Sequence, residues 1–176
     1  MLTRNDDYWG AKADIREVVF RTVKEDAARV AGLLAGQGDA INNVPIEEIA
    51  RIESHPRTRV EKTEGLRMYF LAMNPTFKPF DNKLVRQAIN YSVDPQAIMK
   101  NLYDGNGRVL NGPLSSNVIG YDPSVKRYPY DPKKARELLT KAGFPNGVEV
   151  KLYFAPDRYP KAREVCQVVG NQLAKS

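Results

Sequence analysis

The sequence is poorest in the side chains that most often carry chemistry. It contains one histidine, His55, and one cysteine, Cys166. A single thiol excludes an internal disulfide. It leaves the compartment open, because many exported bacterial proteins also lack disulfides. Metal centres need ligands at set spacings, and no C-x-x-C, H-E-x-x-H or related pattern occurs. Phosphate-cradling loops of the G-x-x-x-x-G-K-[ST] or G-x-G-x-x-G type are missing as well. No apolar run approaches the ~18 residues that would span a bilayer. The net charge of +6 is spread along 176 residues without a basic run, which argues against a nucleic-acid partner. A Cys166–His55 nucleophile pair is conceivable. Cys166 falls on the apolar stripe of a helical pattern, however, and reads as a buried structural thiol.

The ends lack punctuation too. Met1-Leu2-Thr3-Arg4 runs straight into NDDYWG, with no signal peptide. The helical pattern from Ala162 to Leu173 is still running when the sequence stops at Ser176, with no C-cap glycine or following proline. Together these ends raise the expectation of a fragment of a longer protein.

What is present is well marked. In Asn74–Pro95 (NPTFKPFDNKLVRQAINYSVDP) a two-proline loop ends at Asp81, an expected helix N-cap. Amphipathic helices are expected over 82–93 and 95–103, the second opened by Asp94-Pro95. Asp131-Pro132 opens another, with Ala135, Leu138, Leu139 and Ala142 as its apolar stripe and Gly143 as its stop. Thr22-x-x-Glu25 matches a capping box ahead of Ala27, Val30, Ala31 and Leu34. Pro45 suits the first position of a short helix ending at His55-Pro56. Strands are expected at 15–23, 58–63, 66–73 and 148–154, the third buried on both faces and the last on one. Intermixed strands and helices indicate a mixed α/β (α+β) architecture.

Candidate functional residues lie in loops. Tyr8-Trp9-Gly10 reads as a packing anchor. Arg86 reads as an ion pair or helix-end contact. Residues 108–130 lack periodicity, and loops of that length are often functional or packed as ordered coil. Arg158, Tyr159 and Arg163 occupy a turn from an expected strand into the last helix, a common ligand position in α/β folds. Arg158 and Arg163 suit a ligand carboxylate, and Tyr159 suits an apolar ligand part. The same residue types at a helix start are also commonplace on surfaces.

Four ordered blocks resemble the peptide/nickel-type solute-binding proteins of ABC importers. They are Asn5–Gly10; the helix from Arg29 to Asp39; Leu71–Asn74 followed by Lys78–Asp81 and Val85–Ile89; and Tyr130–Pro132 with Ala135, Leu138-Leu139 and Ala142–Phe144. The resemblance implies part of a two-lobe periplasmic-binding-protein type fold that closes on ligand. Residues 1–63 would end the first pass of lobe 1 and lead into the hinge, and residues 64–176 would begin lobe 2. It implies a non-enzymatic protein that captures a small solute, peptide or peptide-like, and delivers it to ABC permease subunits. It also implies an extracytoplasmic location, periplasmic or as a lipoprotein whose signal sequence lies in the full-length chain. No cofactor, metal or nucleic acid is expected, and the fragment is expected to self-associate. Arg158, Tyr159 and Arg163 align with a region where some relatives place a ligand-facing basic residue or histidine. The competing reading is a small autonomous enzyme or adaptor with the 108–130 loop as its cleft.

Overall fold

Three helix starts in this chain are set by short polar side chains. In the computed structural model, which describes residues 1–66, 68–156 and 158–176, Asp94 accepts hydrogen bonds from the amides of Gln96 and Ala97, both 3.0 Å, and Pro95 supplies a ready φ at the first turn of α4 (Pro95–Tyr103; α1–α3 are given below). Asp131 does the same for α5 (Pro132–Lys141) through the Lys134 amide at 2.9 Å. At α3 (Lys83–Ser92) the cap is Asn82, which accepts from Leu84 N, rather than Asp81. The loop explains the one-residue displacement. Asp81 N and Asn82 N are already bonded to Phe77 O and Pro79 O, so the chain still turns at Asp81.

Two compact units are present, Met1–Val60 and Glu61–Ser176. In the first, β1 (Leu2–Thr3) pairs antiparallel with β2 (Glu17–Val18) in the register Leu2–Val18 and Thr3–Glu17. Arg4 holds the intervening loop by bonding Asp6 Oδ1 at 2.7 Å and Ala13 O at 3.2 Å. Helix α1 (Asp26–Leu34) starts without the expected capping box. Its N-cap is Glu25, with no side-chain cap bond. Arg29 performs the stitching instead, donating to Val23 O, Lys24 O, Asp26 Oδ1 and Asn43 O at 2.5–3.3 Å. A 3-10 turn at Ile46–Glu48 leads into α2 (Ile49–Ser54), with Pro45 just before the turn and His55 capping the helix end. Val30 and Ile52 are fully buried.

In the second unit α3 packs on α5. Ala88 and Ala135 are essentially inaccessible, Leu138 is buried beside them, and Leu84, Tyr91 and Leu139 close the rim. Alanines at the contact let the two backbones approach closely, and Asp131 N adds a bond to Tyr91 O at 2.8 Å. Helix α6 (Ala162–Leu173) is tied on by polar contacts at its C-terminal end. Gln172 Oε1 accepts from Asp94 N at 2.9 Å, and Arg136 donates to Lys175 O at 2.8 Å. Arg86 is a loop brace, donating to Phe80 O at 2.6 Å and Asp81 O at 3.1 Å. Residues 108–130 are irregular but anchored at both ends. Arg108 pairs with Glu64 at 2.8 Å, and Tyr128 meets Tyr91 edge-on.

The expected strands are where sequence and structure part. Of 15–23 only Glu17–Val18 is paired, and among the described residues of 58–63, 66–73 and 148–154 no ladder forms. Arg67, inside the third of these, lies outside the described residues. A ladder requires a neighbour, however strongly a segment alternates. The segment expected to be buried on both faces instead exposes Leu66 at 60% and Phe70 at 73%. Trp9, expected as a buried anchor, is 91% exposed and packs only on Tyr8 among the described rings, at 5.1 Å. Cys166 is half-buried rather than enclosed.

The α3–α5 seam makes two measurable demands. Leu138→Ala is expected to cost about 2 kcal/mol or more in chemical denaturation, through lost burial and a residual cavity. Asp94→Ala is expected to cost about 1 kcal/mol by leaving two amides at the start of α4 without their acceptor. A loss below a few tenths of a kcal/mol in either variant would contradict the assigned role.

Candidate functional site

The turn before α6 is built around a left-handed corner. Lys161, with φ 54°, is the residue through which the chain enters the helix, and Val165 N reaches back to its carbonyl at 2.9 Å. Ahead of it Arg158 N donates to Ala155 O at 3.4 Å, and Ala162 N to Tyr159 O at 3.3 Å. Backbone bonds therefore tie Arg158 to Ala155 and Ala162 to Tyr159. Asp157, in the same stretch, lies outside the described residues.

Arg158 and Tyr159 come together here. The guanidinium carbon lies 5.5 Å from the centre of the tyrosine ring, a distance at which a cation is attracted to the ring face. Arg158 is exposed and Tyr159 half-buried. Arg163 is exposed in the first turn of α6. Stacking leaves the edges of a guanidinium available. A guanidinium oriented by an aromatic ring can still offer a planar fork of N–H donors to a carboxylate.

Behind the pair stands an aromatic group that sequence reasoning missed. The ring of Tyr69 packs on Tyr159 at 4.7 Å and meets Tyr103 edge-on at 6.0 Å. Tyr69 falls within an expected strand and Tyr103 at the end of an expected helix. Nothing local in either segment signals that they meet. Burial pushes both phenols above their ordinary pKa. The neighbouring Tyr103 hydroxyl raises that of Tyr69 further, whereas the Tyr69 hydroxyl partly offsets the rise at Tyr103.

Elsewhere the surface offers less. A shallow hollow on α5 is lined by Lys133, Arg136, Glu137, Thr140 and Lys141, and another at the end of α4 by Gln96, Met99, Lys100, Asp104 and Gly105. Neither is walled by residues of the 108–130 loop. Among the described residues no group of three or more His, Cys, Asp or Glu is placed to hold a metal ion, and no helix is long and apolar enough to cross a membrane.

Comparison with known proteins sets these residues in a family. The family of bacterial extracellular solute-binding proteins, family 5 (middle), matches residues 1–176. Heme-binding protein A of Haemophilus influenzae is 35% identical over 152 residues, covering 86% of this chain and 28% of its own length. The glutathione-binding protein GsiB of Pectobacterium atrosepticum is 34% identical over 169 residues, covering 96% and 32%. Among solved structures, the periplasmic binding protein DppA of Helicobacter pylori, in complex with the peptide STSA, superimposes with a TM-score of 0.86 at 34% identity. That match covers 98% of this chain and 33% of DppA. The chain thus spans about a third of the length of these relatives. Its architecture is part of the mixed α/β periplasmic-binding-protein fold, with helices dominating this portion. The chain belongs to the bacterial extracellular solute-binding proteins of family 5.

Proposed function

We propose that the protein containing this chain captures a small, carboxylate-bearing solute, peptide or peptide-like, outside the cytoplasm and delivers it to an ABC permease. The observation that carries this reading is Arg158, exposed and stacked on Tyr159 at the mouth of a helix. A guanidinium held by an aromatic ring suits a ligand that presents a carboxylate beside an apolar group. The relatives lend support through their ligands. DppA of Helicobacter pylori is seen with a tetrapeptide, a binding protein from Pseudoalteromonas with Met-Leu, and an Agrobacterium protein with mannopinic acid. All three ligands carry a carboxylate. Arg163, in the first turn of the following helix, is a second candidate cation for the same solute.

In this reading residues 1–63 complete part of one lobe and lead into the hinge, and residues 64–176 begin the other. Solute binds the closed form better than the open form and so shifts the population toward closure. The full-length protein carries a leader and is held outside the cytoplasm, periplasmic or lipid-anchored. A solute-binding family also sets aside the alternative of an enzyme with its cleft in the 108–130 loop, and the anchoring of that loop to Glu64 and Tyr91 suits a structural role.

Native mass spectrometry of the full-length protein is expected to reveal a co-purified solute with a free carboxylate. Arg158→Ala is expected to weaken its binding by about tenfold or more, the loss of one charge-assisted pair. Small-angle scattering should show contraction when that solute is added. An Arg158→Ala protein with undiminished affinity would refute the assignment. Produced alone, residues 1–176 are expected to self-associate, because Phe20, Phe70 and Tyr153 are 75%, 73% and 84% exposed. A monodisperse monomer in sedimentation would count against this.

A further inference from the structure

Three stretches far apart in sequence converge on one backbone oxygen. Tyr69 and Tyr103 both donate their hydroxyls to the carbonyl of Pro160, Tyr103 at 2.8 Å. The donors lie 91 and 57 residues from the acceptor. A carbonyl oxygen has two lone pairs, and two O–H donors occupy both. Pro160 follows Tyr159 directly and precedes the left-handed Lys161, so its peptide group fixes the corner on which Arg158 and Tyr159 sit. Phenylalanine at 69 and 103 would supply the same ring contacts. The hydroxyls add what they do at that oxygen and to each other. Tyr69 is 44% exposed while Tyr103 is buried, so the pair works at the boundary between solvent and core.

We propose that Tyr69 and Tyr103 are positioning residues whose hydroxyls pin the Pro160 carbonyl and so hold Arg158 and Tyr159 in their ligand-binding arrangement before solute arrives. The inference rests on the ligand reading of that turn given above. A loop already ordered in the free protein loses less conformational entropy on binding, and the gain appears as affinity. The pin joins the segment after Glu61, the end of α4 and the start of α6, elements that hydrophobic burial alone leaves loosely connected here.

An alkaline signature follows. Both phenols stay neutral in the folded protein above the pH at which tyrosine ionises in an unfolded chain, about 10. Their contribution to stability is therefore intact below pH 10 and declines as pH rises beyond it. The full-length protein is expected to lose stability from about pH 10 upward, and the Tyr69→Phe/Tyr103→Phe double variant to lose it less steeply. Equal slopes would overturn this expectation.

The same double variant tests the pin itself. In solute-free, full-length protein, hydrogen exchange at the amides of Arg158 and Ala162 is expected to accelerate roughly tenfold, with the amides of α3 and α5 unchanged. Titration calorimetry with glutathione and Met-Leu as probes is expected to show about a tenfold loss of affinity in the double variant. That loss should vanish when the two substitutions are made in an Arg158→Ala background, because nothing is left to position. Unchanged exchange at Arg158 and Ala162 overturns the proposal, as does an affinity loss that persists undiminished without Arg158. Accelerated exchange together with an Arg158→Ala protein that binds the probes normally supports the pin and overturns the ligand reading instead.

Discussion

The close approach of α3 and α5 at Ala88 and Ala135 is the constraint on which the second unit depends. Methyl groups at the contact bring the helix axes together and let the Asp131 amide reach the Tyr91 carbonyl. Several other parts of the unit are tied back to that seam. The start of α4 follows α3 by two residues, the 108–130 loop returns to it through Tyr128 on Tyr91, and Arg136 on α5 reaches the carbonyl of Lys175 beyond α6. The apolar core is small for the length of chain, and much of the remaining order comes from single polar contacts placed at segment ends.

That division explains which parts of the fold could be read in advance. Helices stated their own beginnings. Asp94-Pro95 and Asp131-Pro132 carry the acceptor and the fixed φ in two adjacent letters, and both helices start where those letters stand. The apolar stripe of α5 needed only its own spacing. Strands were different, because alternation describes a face and says nothing of a neighbour. The 66–73 and 148–154 stretches have the composition of strands, yet no described segment lies alongside to accept their ladders. Thr22-x-x-Glu25 failed for a related reason. A motif of the right letters gave way to Arg29, whose long side chain gathered four oxygens from both sides of α1.

At the candidate site the same boundary holds. Arg158, Tyr159 and Arg163 could be singled out as candidates because their position before a helix and their chemistry are both local properties. The structure adds that the guanidinium of the first lies over the ring of the second and that the third is exposed in the first turn of α6. Tyr69 and Tyr103 were illegible, since their significance lies in an oxygen dozens of residues away. Arg86 falls between the two. Its helix-end contact was expected from the sequence, but the partners were not: two bonds to loop carbonyls make it a brace for the Phe80–Asp81 turn.

The unpaired, apolar stretches also bear on how such a polypeptide is made. The helices of the second unit draw on partners far along the chain, Asp94 on Gln172 and Tyr103 on Pro160, so they close only after the last of them has been made. Leu66, Phe70 and Phe154 stay uncovered in that closed framework. A chain in this state combines finished helices with bare, β-prone segments, the combination most open to pairing with the wrong neighbour. For such a chain the interval between helix closure and the covering of those segments is when chaperone protection matters most.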